Sequence, residues 1–382
     1  METTDLNNKK LKAVLALSDG TVFTGAGFGA EKTVSGEIVF NTSFVGYEES
    51  LTDPSYKGQI LVSTYPLIGN YGVNKANLES SRVQAEGFVI RELSQFYKHR
   101  DSNISLGTFL KQNRVPGIEG IDTRLITKIV RTEGVMNAVL AVSQRPINES
   151  KVLKQAQSAA NYASLELLRK VSVKARKRIG IGAGKTIAII DTGIKKSIIS
   201  NFTKRNVNVV LMPYNAKPQD ILKLNVDGLF LANGPGNPEM ATDAIACVRE
   251  LHAKMPISGI CLGHQIVGLA LGAKTYKLKF GHRGVNQPVK NIIDNKVHIT
   301  SQNHGFAIDA QSLAGTGLEV TYINLNDGSV EGMRHAKLPI RTVQMHPEAN
   351  PGPRDVEFIF DEFVRDIDSP LPLRERVRVR GN

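Results

Sequence analysis

The sequence predicts an α/β fold in which a mixed α+β domain, residues 1–150, is followed by a domain with a mostly parallel sheet, residues 185–382. Three observations support this division. Short β-rich runs bounded by turn residues dominate the first part, apolar runs alternate with amphipathic stretches after Thr186, and the pattern weakens in between. Residues 151–184 are therefore predicted to form a helical and basic linker.

The first domain is predicted to contain short strands and one clear helix. The strands are bounded by Gly, Asp, Pro or Asn and cover Leu11–Leu17, Gly36–Asn41 and Gln59–Tyr65. The helix begins after Asp122, a favourable N-cap, and ends at Gly134. Apolar residues recur between these limits at the spacing of one helical face.

The linker contains a stretch that partly matches a phosphate-binding loop. A polar helix over 152–170 leads into the basic residues 174–178 and then into Gly180-Ile181-Gly182-Ala183-Gly184-Lys185-Thr186. The phosphate loop would need a glycine at position 179, which is isoleucine. It would also follow a strand and open a helix, whereas this stretch precedes the predicted strand 186–190. We interpret it as a flexible connector.

Strands and helices alternate after the linker. Strands are predicted at 186–190, 207–212, 228–231 and 255–260, and helices at 195–204, 218–224, 242–254 and 264–271. Such βαβ repetition implies a parallel sheet with helices on both faces. Later strands are predicted at 296–301, 318–323 and 340–345, with an Asn326-Asp327-Gly328 turn, before a closing helix around 356–363.

Three polar or glycine-rich loops follow strands of this sheet, at the edge where parallel sheets bind their ligands. They are residues 233–238, the turn at Cys261, and residues 346–348. Cys261 lies in a G-x-C-x-G segment, 259–263, whose glycines are expected to leave room for a substrate. A helix that starts just beyond it would favour a thiolate and a nearby oxyanion. The alternative interpretation is a buried structural cysteine.

His346 and Glu348 supply the base and the orienting acceptor that a thiolate nucleophile needs. Residues two apart in an extended segment project to the same side, so Glu348 can hold His346 toward Cys261. The chain order fits an acyl-transfer triad that hydrolyses an amide through a thioester. His304 is a candidate second site residue.

Backbone donors for an oxyanion are available on two of these loops, at Gly234, Gly236 and Leu262. The alternative for the two glycines is a Pro-Gly turn that needs positive φ. No pair of histidines shows metal-ligand spacing with a cysteine, so no metal is expected.

Composition excludes several classes of function. The 382 residues are 41% hydrophobic and 22% charged, as in a soluble globular protein. No apolar run approaches the length of a membrane span, and no signal or transit peptide is evident. Two cysteines are too few for a disulfide framework and fit a reducing compartment. The net charge of +12 is partly concentrated at 169–178 and 374–380 without interleaved aromatic residues, which argues against nucleic-acid binding.

Taken together, the three strand-end loops resemble the signatures of the class I, or triad, glutamine amidotransferases. The matching segments are 259–265, 233–236 and 346–348. Further segments resemble the small subunit of carbamoyl-phosphate synthase, whose N-terminal domain other amidotransferases do not share: 40–47, 51–56, 65–72 and 301–306. On this resemblance, residues 185–382 form a class I glutaminase domain.

The resemblance implies a role for each site residue. Cys261 would attack the side-chain carboxamide of glutamine, His346 would transfer the proton, and Glu348 would orient His346. Leu262 and Gly234 would form the oxyanion hole. The positions that would hold glutamine are Ser55, Gly234, Gly236, Leu262, Gln265, Asn303, Gly305 and Phe306.

The resemblance also implies a partner. Ammonia would pass to a large subunit, which uses ATP and bicarbonate to make carbamoyl phosphate for arginine and pyrimidine biosynthesis. This chain would bind no cofactor, ATP and Mg²⁺ would bind the large subunit, and the heterodimers could assemble further. The expected location is the cytoplasm or the plastid stroma. The alternatives are a free-standing cysteine amidase and a non-catalytic, amidotransferase-like scaffold.

Four positions or segments depart from the usual family pattern: 191–197, Asn237, Val285 and Gln287. None of them is expected to touch the triad.

Overall fold

The computed structural model describes residues 11–180 and 182–368. The predictions that concern residues 1–10, Ile181 and the basic cluster at 374–380 lie outside the described residues. Within the described ranges, no helix combines the length and the apolar character that crossing a bilayer requires. The exact domain limits, 1–150, 151–184 and 185–382, stay a prediction.

The strands of the N-terminal part are Lys12–Leu17 (β1), Val22–Gly29 (β2), Lys32–Asn41 (β3), Gln59–Ser63 (β4), Leu67–Ile68 (β5), Gly87–Val89 (β6), Glu92–Leu93 (β7), Pro116–Glu119 (β8) and Met136–Ser143 (β9). Seven of them close into a barrel, in the order β1-β2-β8-β6-β4-β3-β9. β5 and β7 pair with each other outside the barrel. Closure leaves these seven strands without a free edge. Buried side chains from many of them form one core, among them Leu15, Ile38, Ile60, Val89 and Leu140.

In the described ranges, four α-helices belong to the barrel part: Tyr47–Thr52 (α1), Leu106–Gln112 (α2), Thr123–Glu133 (α3) and Glu149–Ser158 (α4). The next helix, Leu168–Val171 (α5), packs through Leu168 in a core of the sheet that follows. The prediction for α3 is confirmed. Asp122 Oδ1 accepts a hydrogen bond from Leu125 N at 2.9 Å, and Gly134 ends the helix with φ 98°. Only Ile126 and Val130 of its apolar positions are fully buried.

The predicted helix over 152–170 is wrong, because the chain breaks into shorter pieces. α4 ends at Ser158, and Asn161 then caps a new turn, Tyr162–Ser164, by accepting from Ala163 N at 2.9 Å. An asparagine side chain that bonds the backbone two residues on competes with continuation of a helix. The break places Tyr162 at the site described below.

The C-terminal part is built on one ten-stranded sheet, in the order β10-β12-β11-β13-β14-β19-β18-β17-β15-β16. Its strands are Lys177–Ile179 (β10), Thr186–Asp191 (β11), Asn208–Pro213 (β12), Gly228–Leu231 (β13), Ile257–Ile260 (β14), Thr275–Asn291 (β15), Val297–Ile308 (β16), Leu318–Asn324 (β17), Val330–His335 (β18) and Ile340–Val343 (β19). The five strands from β12 to β19 in this order are parallel, and the others pair antiparallel. The predicted α/β class with a mostly parallel sheet is confirmed.

Helices cover both faces of the parallel strands, as predicted: Lys196–Lys204 (α6), Pro218–Leu222 (α7), Thr242–Leu251 (α8), Leu262–Ala270 (α9) and Ile359–Ile367 (α10). Adjacent residues of β11 show the division, since Ile190 packs in the core under α8 and α9 and Ile189 in the core under α6 and α10. Alternation of side chains along a strand produces these two layers.

Several boundaries differ from the sequence prediction. β14 begins at Ile257 rather than 255, because Pro256 has no N–H for the sheet. α9 begins at Leu262, two residues earlier than predicted. The sequence analysis does not predict β2, β5 to β10, β15 or β18. Of these, β15 is rich in polar and charged residues.

Parallel register brings the ends of three neighbouring strands together. Leu231 of β13 pairs with Gly259 of β14, and Ile260 of β14 pairs with Val343 of β19. The loops that follow these strands therefore meet at one edge of the sheet, as the sequence predicts.

Candidate active site

Cys261 lies at the corner between β14 and α9, with φ 55° and ψ −105°. A residue with a side chain rarely adopts such a conformation, which costs about 1–3 kcal/mol and is concentrated at functional sites. The flanking glycines serve backbone packing: a Cβ at Gly259 would lie 2.9 Å from the Gly263 carbonyl carbon, and a Cβ at Gly263 would lie 2.1 Å from Leu231 O. The helix can approach the strands only because both are glycine.

The thiol of Cys261 is buried at the start of α9. The residue is 2% exposed, and its Sγ donates to Asn303 O at 3.5 Å. Leu262 is the first residue of the helix, so its N–H has no partner within it. Unpaired N–H groups at a helix start attract negative charge.

His346 and Glu348 lie beside this corner and are both buried. His346 Nδ1 donates to Glu348 Oε1 at 2.5 Å. His346 Nε2 is buried and has no hydrogen-bond partner in the described part of the chain. Cys261 is close enough to this ring to influence its charge. The structure thus brings the three predicted catalytic residues together, with the thiol bonded to a carbonyl rather than to the imidazole.

The prediction that segment 191–197 does not touch the triad is wrong. Lys195 Nζ lies 2.9 Å from Glu348 Oε1 and donates to Ala349 O at 2.7 Å. The Lys195 side chain is 3% exposed and that of Glu348 is fully buried. β11 ends at Asp191, so the turn that follows delivers Lys195 to the same sheet edge as the triad. This lysine is a site residue that the sequence analysis missed.

Mutual charge sets the ionisation of these groups. Burial opposes the imidazolium, but Glu348 and Cys261 raise the pKa of His346 to about 10. Burial also opposes ionised Glu348, but His346 and Lys195 lower its pKa to about 2. Burial disfavours the charged form of Lys195 as well, yet Glu348 and Glu79 raise its pKa. These neighbours favour the protonated forms of His346 and Lys195 and the ionised form of Glu348.

The loop after β13 is fixed tightly. Asn233 is fully buried, and its Oδ1 accepts from Lys195 N at 3.2 Å. A Cβ at Gly234 would lie 2.1 Å from Thr192 O, so only glycine fits there. Gly236 N donates to the hydroxyl of Tyr162 at 2.9 Å and is therefore already engaged. Among the described residues, Gly234 N and Leu262 N remain without hydrogen-bond partners.

The N-terminal domain contributes directly to the site through Asp53 and Ser55. Ser55 Oγ accepts from Asn233 Nδ2 at 2.9 Å. Asp53 Oδ1 accepts from Ser55 N at 2.9 Å, and Asp53 Oδ2 accepts from Asn303 Nδ2 at 2.9 Å. One carboxylate thus ties a turn of the barrel domain to β16 of the other domain.

A cleft lies in front of Cys261, with about 380 Å³ of empty space when its open mouth is included. Seven of the eight predicted glutamine-binding residues line it: Ser55, Gly234, Gly236, Gln265, Asn303, Gly305 and Phe306. Leu262 follows Cys261 in the chain and does not line the cleft. Gln265 Nε2 donates to Phe306 O at 2.7 Å, so these predicted residues also hold one another in place.

The sequence analysis missed five residues that line the same cleft: Glu37, Gln59, Tyr162, Lys277 and Arg283. Glu37 Oε1 forms an ion pair with Lys277 Nζ at 2.6 Å across the two domains. No short motif joins these residues. The one sequence signal for Lys277 and Arg283 is that charged and polar residues recur along β15.

A second buried polar cluster lies behind β16. His282, His304 and Glu331 approach closely enough to be considered as metal ligands. His282 Nε2 is, however, 2.9 Å from Asp327 Oδ2, and although burial opposes it, Asp327 and Glu331 raise the pKa of His282 to about 9. The three side chains belong to a hydrogen-bonded network, in which His304, as a neighbour of the cleft, contacts Phe306 O at 2.8 Å.

The residues that depart from the family pattern elsewhere have local roles. Asn237 caps the turn Pro238–Met240 by accepting from Glu239 N at 3.1 Å. Gln287 Oε1 accepts from Asn326 Nδ2 at 2.9 Å. Val285 faces Gly352, where an added Cβ would lie 3.3 Å from its side chain.

Comparison with known proteins covers both halves of the chain. The family model for the carbamoyl-phosphate synthase small chain, CPSase domain, matches residues 15–140, and that for class-I glutamine amidotransferase matches residues 188–366. A solved glutamine amidotransferase of Thermotoga maritima covers 48% of this chain and 98% of its own, with 17% identity and a TM-score of 0.36.

Curated relatives match almost end to end. The carbamoyl phosphate synthase small chain of Methanosarcina acetivorans is 50% identical over 358 residues, 92% of this chain and 97% of the relative. That of Clostridium perfringens is 48% identical over 355 residues, 93% of this chain and 99% of the relative. The resemblance inferred from the motifs is confirmed. The chain belongs to the carbamoyl phosphate synthase small chain family.

Proposed function

We propose that this chain hydrolyses glutamine through Cys261, His346 and Glu348 and supplies the ammonia to a large subunit that makes carbamoyl phosphate. The observation that carries the proposal is the arrangement of the triad. A buried thiol at a helix start faces a histidine that is held by a buried carboxylate, on the wall of a cleft. Nucleophile, base and orienting group are the parts that acyl transfer requires.

The geometry suggests the following sequence of steps. The Cys261 thiol passes its proton to His346, and the sulfur attacks the γ-carboxamide carbon of glutamine while the N–H groups of Leu262 and Gly234 stabilise the developing oxyanion. The C–N bond breaks as His346 gives its proton to the leaving ammonia. A water molecule, deprotonated by His346, then attacks the thioester, releases glutamate and restores the thiol. Glu348 keeps His346 oriented throughout.

The cleft supports glutamine as the substrate. Ser55, Gly236, Gln265, Asn303, Gly305 and Phe306 line it together with Cys261. Their backbone and amide groups can hydrogen bond an amino acid, and Leu262 at the helix start adds a further N–H.

The relatives support the partner. They are named small chains of carbamoyl phosphate synthase, and a small chain implies a large one. We propose that the large subunit binds ATP and Mg²⁺, uses bicarbonate, and serves arginine and pyrimidine biosynthesis. The small chain would bind no cofactor of its own, and the heterodimer would act in the cytoplasm or the plastid stroma.

The decisive experiment replaces Cys261 by serine in the chain assembled with its large subunit. Glutamine-dependent carbamoyl phosphate synthesis should fall by at least about a thousandfold, because serine is a poor nucleophile without a stronger base. Ammonia-dependent synthesis should be unchanged. Cys247→Ala, at a buried cysteine in α8, is the matched control and should retain both activities.

The same assay separates the alternatives. A free-standing cysteine amidase would cleave γ-glutamyl amides at a rate that ignores the large subunit. A non-catalytic scaffold would show equal loss, or no loss, of both activities in the Cys261→Ser complex. Either result would refute the proposed role.

A further inference from the structure

Two histidines lie side by side behind the cleft, in the neighbouring strands β15 and β16. His282 pairs with His304 in the sheet register, and their rings meet edge to face with centroids 4.9 Å apart. Glu331 of β18 approaches both rings, with its Oε1 3.5 Å from His282 Nδ1 and 3.8 Å from His304 Nε2. The side chains of His282, His304 and Glu331 are 8%, 2% and 0% exposed, so the group is closed off from bulk water.

Each imidazole has one nitrogen engaged by an oxygen outside this group. His282 Nε2 lies 2.9 Å from Asp327 Oδ2, and His304 Nδ1 lies 2.8 Å from Phe306 O. A carboxylate and a carbonyl oxygen only accept, so both of these nitrogens carry a proton. When the ring is neutral, its other nitrogen presents a lone pair, and that nitrogen faces Glu331 in both histidines. Outer acceptors of this kind orient the histidines of metal sites.

Gln302 adds an acceptor beside His304. Its Oε1 lies 3.0 Å from His304 Nε2. The amide is fixed in this orientation, because its Nε2 donates to Thr300 Oγ1 at 3.3 Å while Thr300 donates its own proton to Gln287 O at 2.9 Å. Two acceptors therefore face each other, and Glu331 Oε2 is buried without a hydrogen-bond partner in the described part of the chain. Buried acceptors that converge in this way are suited to a cation.

We propose that His282 Nδ1, His304 Nε2 and the Glu331 carboxylate bind a Zn²⁺ ion. Two imidazoles and a carboxylate are a ligand set that Zn²⁺ prefers, and Gln302 Oε1 would complete a shell of four. Bonds of about 2.0–2.2 Å at tetrahedral angles place neighbouring ligand atoms about 3.3–3.6 Å apart. One ligand atom of each of the three residues lies within 4.8 Å of the other two, so small side-chain movements would close the shell.

The ion would be structural and would not take part in glutamine hydrolysis. It would join β15, β16 and β18 behind residues 303–306, and His304, which also lines the cleft, offers a way in. Burial opposes a proton on His282, but Asp327 and Glu331 raise its pKa to about 9, so Zn²⁺ must displace that proton when it binds. The inference does not depend on the proposed function.

The test titrates the full chain with Zn²⁺ in competition with a chromophoric chelator. A Cys261→Ser background removes the thiol near His346, which is a second place where Zn²⁺ could bind. This background should bind one Zn²⁺ per chain with a Kd of about 1 µM or below, and the ion should raise its Tm. Glu331→Gln keeps the shape of a ligand without its charge and should weaken binding by more than about a hundredfold. Asp327→Asn should weaken it by about 10- to 100-fold, as expected for an outer partner.

Glu319→Gln is the matched control, since Glu319 lies on the adjacent strand β17 and pairs with Arg334 at the surface. It should bind Zn²⁺ as tightly as the background does. The site would be refuted if the background bound no Zn²⁺ at micromolar concentrations, or if Glu331→Gln and Asp327→Asn left binding unchanged. Asp327 has a side chain that is 39% exposed, so its variant decides even if Glu331→Gln does not fold.

Discussion

Lys195→Met tests whether the buried lysine supports the triad. The substitution keeps the length of the side chain but removes the charge that lies 2.9 Å from Glu348 Oε1 and the donor that lies 2.7 Å from Ala349 O. Both side chains of the ion pair are essentially inaccessible to water. Removing one partner of such a buried pair costs about 3–5 kcal/mol, because the other charge stays buried without compensation.

Urea unfolding of the full chain measures the free energy of unfolding. We expect Lys195→Met to lower it by about 3–5 kcal/mol, and to lower the glutaminase kcat of the complex. Lys196→Met is the control, because Lys196 is exposed and its Nζ donates only to Ala76 O, at 3.5 Å. This substitution should change the free energy of unfolding by less than about 0.5 kcal/mol. Glu348→Gln combined with Lys195→Met should cost less than the sum of the single changes. Purely additive costs, or a Lys195→Met protein as stable as the wild type, would refute the reasoning.

Two further predictions follow from the corner and from the charges. Gly263→Ala should destabilise the chain by about 1–3 kcal/mol, because its Cβ would lie 2.1 Å from Leu231 O. Gly107→Ala in α2 should be neutral or stabilising in the same thermal melts, because its Cβ would make only an ordinary contact, 3.8 Å from Leu93 Cδ2. Equal melting temperatures would contradict this packing. Since the folded pKa of His346 is raised to about 10 from 6.5, its contribution to stability is complete below pH 6.5 and is lost as the pH rises toward 10. The stability difference between wild type and His346→Asn should therefore shrink across that interval in urea titrations, and a constant difference would refute the charged state.

The proximity of Cys261, His346 and Glu348 could be predicted from the sequence because it depends on where the strands end. Cys261, His346 and Glu348 each follow a strand of a parallel sheet, and the ends of such strands meet at one edge. The cap at Asp122 and the stop at Gly134 were equally predictable, since both act within one helical turn.

The remaining site residues depend on contacts between segments far apart in the chain. Lys195 has the sequence context of an ordinary surface lysine near a helix start, and only the sheet edge brings it to Glu348. Glu37, Gln59 and Arg283 come from separate strands of two domains, so no spacing pattern connects them. The helix predicted over 152–170 was wrong because the local bond from Asn161 outweighs helix propensity. Closure of the barrel likewise depends on pairing between distant strands.

The hydrogen bonds of Asp53 have a consequence for how the two domains can be used. Asp53 Oδ2 bonds Asn303 of the sheet domain, and Ser55 Oγ bonds Asn233. One side of the cleft is therefore supplied by the barrel, so a separately produced glutaminase domain would keep its nucleophile and base while losing part of its binding surface. The barrel therefore forms part of the substrate cleft, and moving it relative to the sheet would change the shape of that cleft.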